Sequence, residues 1–150
     1  MDRYIEFISH HYVLTLALAV VTYLLIQDLF DTAFKKYKSI SPLSAVTKMN
    51  DIQTTVIDVR EANDFTTSHI ENAVNAPLSK FAEELPKLQA YKSTPVLLMC
   101  ETGARSATAA KKLTQAGFEQ VFVITGGMQS WETDYKLPIK LTGKKKTKTS

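Results

Sequence analysis

Pro95-Val96-Leu97-Leu98-Met99-Cys100-Glu101-Thr102-Gly103-Ala104-Arg105-Ser106, running on into Ala107-Thr108-Ala109-Ala110-Lys111-Lys112-Leu113, decides how this chain folds. Val96 to Met99 is a continuous apolar run of strand length, which suits a central strand covered on both faces. From Ser106 the composition changes to Ala, Lys, Leu and Gln, all good helix formers. The single cysteine of the chain therefore stands where a buried strand ends, a few residues before a helix begins. Such a junction presents backbone N–H groups and the positive end of a helix dipole to the loop. A thiol there is expected to ionise more readily than a free one, because those donors stabilise the thiolate. Gly103 permits a tight turn and Arg105 adds a fixed positive charge. The stretch reads as a nucleophilic cysteine in an anion-binding cradle.

Working outward, 150 residues hold one domain and some extras. The net charge of +3 conceals a partition. Residues 39–139 carry nine basic and eleven acidic side chains, so the excess of positive charge lies in the two ends. The basic overall pI is thus a property of the termini and gives no ground for nucleic-acid binding. One cysteine excludes an intrachain disulfide framework, as expected for a reducing compartment.

Phe7 to Gln27 is free of Asp, Glu, Lys and Arg, and Val13 to Ile26 is almost wholly apolar. About 20 such residues suffice for a helix to cross a bilayer, with Tyr4, Tyr12 and Tyr23 near the interfaces. A cleaved signal peptide needs a positive start and a small-x-small site. Asp2, Arg3 and Glu6 come first, and Gln27-Asp28-Leu29-Phe30-Asp31 follows. The expectation is an uncleaved transmembrane anchor over 1–30, spanning about 7–27. Lys35, Lys36 and Lys38 follow the span and only Arg3 precedes it, so the positive-inside rule puts the C-terminal domain in the cytoplasm. The expected localisation is single-pass in the inner membrane.

Residues 31–38 read as a juxtamembrane linker. Ser41-Pro42 is an N-cap followed by a first helical residue, opening a short helix through about Met49. Thr55 to Arg60 is a β-branched strand, and Ala73 to Pro77 a second, stopped by proline. Leu78 to Tyr91 has helical spacing, with Ser79 as cap and Pro86 as a break or kink. After the Cys100 strand comes a helix from about Ser106 to Ala116, ended by Gly117. Glu119 to Ile124 is a further strand, and Gly126-Gly127 turns into a short helix carrying Trp131. Strands alternating with helices argue for an α/β fold with a parallel sheet. Residues 140–150, with Lys140, Lys144, Lys145, Lys146 and Lys148, read as a basic disordered tail.

Several pieces, in order, carry a resemblance. They are Val56-Ile57-Asp58-Val59-Arg60-Glu61, Asp64-Phe65, His69-Ile70 with Asn72 to Pro77, Cys100 to Ser106, and Gly117-Phe118 leading to Gly126-Gly127-Met128 and Trp131. In these the chain resembles the single-domain rhodanese-like sulfurtransferases, over a domain of residues 39–139. With the anchor it is similar to a bacterial membrane-bound subgroup. The resemblance implies a central parallel sheet flanked by helices, preceded here by one transmembrane helix. It implies that Cys100 takes the outer sulfur of a donor such as thiosulfate, holds it as a persulfide, and passes it to a thiol or protein acceptor. The substrate loop is Glu101, Thr102, Gly103, Ala104, Arg105 and Ser106. Arg105 is expected to hold an anionic donor, and Ser106 to bond the sulfur or cap the helix. No cofactor beyond the covalent persulfide and no metal is implied. The expected partners are the sulfur donor, an external acceptor (no second cysteine can resolve the persulfide) and the lipid bilayer.

Plainer readings stand beside these. Cys100 alone would read as a small buried hydrophobe. Asp58 and Arg60 suit a supporting role, bonding neighbouring loops or pairing with a carboxylate such as Glu61. His69 suits a satisfied buried histidine rather than a general base, and Trp131 suits the core. His10 and His11 lack the carboxylate or thiol partners of a metal site. Glu101, directly after the nucleophile, departs from the basic or small residue of many thiosulfate users. It repels a dianion and opposes thiolate formation, so a neutral or protein persulfide is the expected donor. The alternative function is a membrane-held interaction module for integral membrane proteins, with little or no catalysis. A cysteine phosphatase is the third reading, disfavoured by spacing: its loop needs five residues between cysteine and arginine, and Cys100 to Arg105 encloses four.

Overall fold

The computed structural model describes residues 11–33, 36–51 and 53–142. The start of the expected anchor, His10 included, and the lysine cluster 144–148 lie outside them. The chain divides into two compact units between residues 35 and 36.

The first unit contains helix α1, Tyr12–Ala33. Leu and Ala give it good helical propensity, and Leu14, Leu16, Leu18, Val21 and Leu25 are all exposed. Among the described residues no helix is long and apolar enough to cross a membrane, so the expected transmembrane span over 7–27, whose residues 7–10 lie outside the described residues, is not supported by the fold.

The second unit is a five-stranded parallel sheet with helices on both faces. Its strands are β1 (Lys38–Ile40), β2 (Thr55–Asp58), β4 (Val74–Asn75), β5 (Pro95–Met99) and β6 (Gln120–Ile124), in the order β1-β6-β5-β2-β4. β5 lies at the centre, as its unbroken apolar run requires, pairing Val96 with Thr55 on one side and with Val121 on the other. Alternate side chains go to opposite faces. Ile57, Val96, Leu98, Val121 and Val123 pack with Phe81, Leu88, Ala109, Ala110 and Leu113 from α4 (Phe81–Leu88) and α5 (Ala104–Gln115). Val56, Leu97, Met99, Phe122 and Ile124 pack with Ala45 of α2 (Pro42–Met49), Met128 and Trp131. Each of these large side chains contributes about 1.5–3 kcal/mol by leaving water.

Ser41 caps α2 as its sequence requires, Oγ accepting from the Ser44 N–H at 3.2 Å with Pro42 in the first turn. Other boundaries differ. Lys38, placed in the linker by its sequence, instead begins edge strand β1, which pairs with β6. Lys140–Leu141 forms β7, antiparallel to β3 (Ser68–His69), so the presumed tail begins inside the fold. Between Leu78 and Tyr91 the chain makes a 3-10 turn, then α4, then a second 3-10 turn. Pro86 is tolerated inside α4, which ends two residues later. α3 (Ala62–Thr67) carries no buried residue, and so no periodic signal. α6 (Gly127–Gln129) leads into one π-helical turn, Ser130–Asp134.

Candidate active site

The carboxyl ends of the parallel strands converge on the loop 100–103. Cys100 follows β5 directly, and α5 begins at Ala104 rather than near Ser106, with Gly103 at its N-cap in the left-handed region (φ 103°). Only glycine takes that conformation without strain. The tight turn folds the helix start back over the sulfur. The Gly103 N–H donates to Cys100 Sγ at 3.0 Å and the Ser106 N–H at 3.4 Å. Both are first-turn donors with no helical carbonyl to accept them. Ser106 is therefore no cap. It lies within the first turn, fully buried, and its Oγ has no hydrogen-bond partner among the described residues. Cys100 is fully buried too.

A second segment clamps the loop from the other side. The Met128 N–H donates to the Cys100 carbonyl at 2.8 Å and the Gln129 N–H to that of Glu101 at 3.1 Å. Gly127 makes this approach possible, since a Cβ there would run into both carbonyl oxygens and its φ is positive. The Gly126-Gly127-Met128 motif thus presses the cysteine loop into place.

Asp58 and Arg60 brace the same end of the sheet. The Asp58 carboxylate accepts from the Arg60 backbone N–H at 2.9 Å, from Nε at 3.1 Å and from Nη2 at 2.8 Å. Nη2 also donates to the Ser68 carbonyl at 2.6 Å, and Nη1 reaches Glu101 Oε2 at 3.4 Å. Burial pulls the Arg60 pKa down, but bonding to Asp58 and the charges of Asp58 and Glu101 outweigh it and leave the pKa above its ordinary value. Its carboxylate partners are thus Asp58 and Glu101. Glu61 accepts instead from Ser79 Oγ at 3.1 Å, which also removes Ser79 from its expected capping role. Asn75 ties the turn, donating to the carbonyls of Asp58 at 3.0 Å and Arg60 at 2.9 Å.

The remaining candidates separate. Arg105, partly buried on the first turn of α5, makes no side-chain hydrogen bond or ion pair to a described residue. Glu101 and Thr102 are exposed. His69 stacks on Phe65, with ring centroids 4.1 Å apart, and its Nδ1–H donates to the Phe65 carbonyl at 2.7 Å. It ties β3 to α3 and has no bond to the cysteine loop among the described residues. Trp131 is buried, its Nε1–H on the Pro138 carbonyl at 3.1 Å. Among the described residues no cluster of His, Cys, Asp and Glu is arranged to hold a metal. A groove of about 530 Å³, lined by Met49, Ile70, Asn72, Trp131, Leu137 and Ile139 among others, contains no residue of the 100–106 loop. The Arg60–Glu101 contact, the Asn75 tie and the clamp from Met128 and Gln129 were not foreseen. Partners 15–41 residues apart leave no local pattern to read.

Comparison with known proteins agrees with this geometry. Residues 41–134 match the profile of the Rhodanese-like domain. "Uncharacterized protein YibN" of Escherichia coli (strain K12) is 29% identical over 132 residues, 87% of this chain and 92% of that protein. "Thiosulfate sulfurtransferase GlpE" of Coxiella burnetii is 35% identical over 101 residues, 66% of this chain and 91% of the relative. The crystal structure of a rhodanese-related protein from Thermoplasma volcanium superposes with a TM-score of 0.62 at 32% identity, covering 70% of this chain and 99% of that one. With its parallel sheet, its cysteine loop and these relatives, the chain belongs to the rhodanese-like domain family, in which relatives are named as sulfurtransferases.

Proposed function

We propose that the protein is a sulfurtransferase that carries sulfane sulfur as a persulfide on Cys100. The observation that carries this reading is the pair of N–H donors, Gly103 and Ser106, aimed at Sγ, beside a buried Ser106 hydroxyl with no partner. A buried unpartnered hydroxyl is costly in a purely structural loop, whereas beside a persulfide it gains the outer sulfur as acceptor. In the first half-reaction the Cys100 thiolate attacks the outer sulfur of the donor. The donor's S–S bond breaks and its leaving group departs with the electron pair. In the second, an external thiol takes the outer sulfur and Cys100 is released. The loop's N–H groups hold the anionic sulfur throughout, as preorganised donors do for a developing charge. The assay is turnover of a small-molecule persulfide with cyanide as acceptor, followed as thiocyanate. Sustained turnover well above the uncatalysed rate is expected, and a rate equal to that without protein contradicts the reading.

Full burial of Cys100 favours a second reading, an interaction module with an inert thiol. Labelling by iodoacetamide under native conditions separates the two. A sulfur carrier is labelled far faster than the domain unfolds; an inert thiol is labelled only at the unfolding rate.

We further propose that the N-terminal helix holds the chain at a bilayer, with the domain on the cytoplasmic side. The apolar side chains of α1 are exposed along its described length. The hydroxyls of Thr15 and Thr22 bond back to the carbonyls of His11 and Leu18 at 3.2 and 2.8 Å, which meets their polar needs without water. The similarity to the Escherichia coli protein, over 132 residues, is longer than the matched domain of 41–134. Carbonate washing of membranes from cells making the full chain is expected to leave it in the pellet. Release into the supernatant contradicts the attachment.

A further inference from the structure

The charges around the sulfur do not suit a dianionic donor. Arg60 is the only cation bonded to Glu101 among the described residues, and its charge is already matched by Asp58, with contacts of 2.8–3.1 Å against 3.4 Å to Glu101. Glu101, half exposed, thus keeps a net negative charge at the residue directly after Cys100. One residue before the Ser106 N–H that bonds Sγ, partly buried Arg105 keeps a positive charge with no partner among the described residues. The cysteine loop and the helix start after it thus carry one unmatched charge of each sign, at Glu101 directly after the nucleophile and at Arg105 directly before Ser106.

We propose that this charge pair selects a zwitterionic donor, a small persulfide carrying both an ammonium and a carboxylate, such as the persulfide of an α-amino-acid thiol. Its carboxylate meets Arg105 and its ammonium meets Glu101. Thiosulfate, with two negative charges, satisfies Arg105 and is repelled by Glu101. A donor bearing only an ammonium leaves Arg105 unmet. The step balances without an added oxidant: Cys100–S⁻ attacks R–S–SH at the outer sulfur, the donor's S–S bond breaks with its electron pair going to the inner sulfur, and Cys100–S–SH and R–S⁻ result. The inference rests on the persulfide reading above and adds the donor's charge type to it.

The test uses the full chain in a non-ionic detergent and follows loading of Cys100 by intact mass at several donor concentrations. The probes are thiosulfate and the persulfides of cysteine (zwitterion), cysteamine (cation) and 3-mercaptopropionate (anion). Cysteine persulfide is expected to load fastest. Two solvent-screened contacts allow a preference of about twofold to fivefold per charge, shrinking as salt rises. In Glu101→Gln the ratio of cysteamine to mercaptopropionate persulfide rates falls by about that factor, and thiosulfate gains. In Arg105→Gln the same ratio rises. The opposite movement of one ratio is a result that misfolding cannot produce, since loss of folded protein lowers all rates together. Equal ratios in parent and variants overturn the charge selection while leaving sulfur transfer intact. Loading by none of the four probes overturns the persulfide reading, and this inference with it.

Discussion

Cys100→Ser folds as the parent does and transfers no sulfur. The hydroxyl accepts from the same Gly103 and Ser106 N–H groups that now point at Sγ, so no donor is orphaned and stability changes by no more than about 1–2 kcal/mol. Serine forms no persulfide, and no second cysteine can substitute for it. The loss is of the kind seen when an enzyme loses its nucleophile, about a thousandfold or more. Thiocyanate production together with a melting curve checks both halves. Residual turnover within tenfold of the parent would mean that sulfur moves by another route.

Arg60→Ala acts on the other quantity, stability. It leaves the Asp58 carboxylate buried with no cation, strips the Ser68 carbonyl of its Nη2 donor, and frees Glu101. Removing one partner of a buried ion pair costs about 3–5 kcal/mol, which for a domain of this size lowers Tm by more than about 10 °C. Arg60→Lys keeps a charge but loses the forked contact, and falls between. The double variant Asp58→Ala/Arg60→Ala is expected to be less damaged than the two single losses combined, because no lone charge remains. The guanidinium brings no pH dependence of its own at neutrality. Its pKa is raised, so its contribution is fully present below the ordinary arginine value and is lost only in strong alkali. A Tm within 2–3 °C of the parent for Arg60→Ala would show the pair to be dispensable.

Both effects concern residues whose positions follow from local sequence. The apolar run before Cys100 can only be a strand buried on both faces, and helix-forming residues after a glycine can only be the helix above it. Strand, loop and helix were therefore legible together. So was Ser41-Pro42, because a cap and its proline are neighbours. What escaped was whatever depends on a distant partner. Lys38 to Ile40 is polar and short, and becomes a strand only because Phe122 to Ile124 offers an open edge. Lys140–Leu141 is ordered by Ser68–His69, some seventy residues earlier. The helix starts at Ala104, ahead of Ser106, because of the left-handed turn at Gly103, which composition does not reveal.

The Glu101 reading needed the same correction. From sequence it was a bare carboxylate beside the nucleophile. In the fold it leans on Arg60, but on a guanidinium already matched by Asp58. Its repulsion of anions is thus tempered without being cancelled.

The central claim, that Cys100 holds sulfur, is tested most directly by weighing the intact full chain after exposure to a small-molecule persulfide and locating the added mass by peptide fragmentation. The account predicts a gain of one sulfur atom, confined to the peptide containing Cys100, reversed by cyanide and absent from Cys100→Ser. A folded chain that gains no mass would contradict it, and so would sulfur that remains bound in the serine variant.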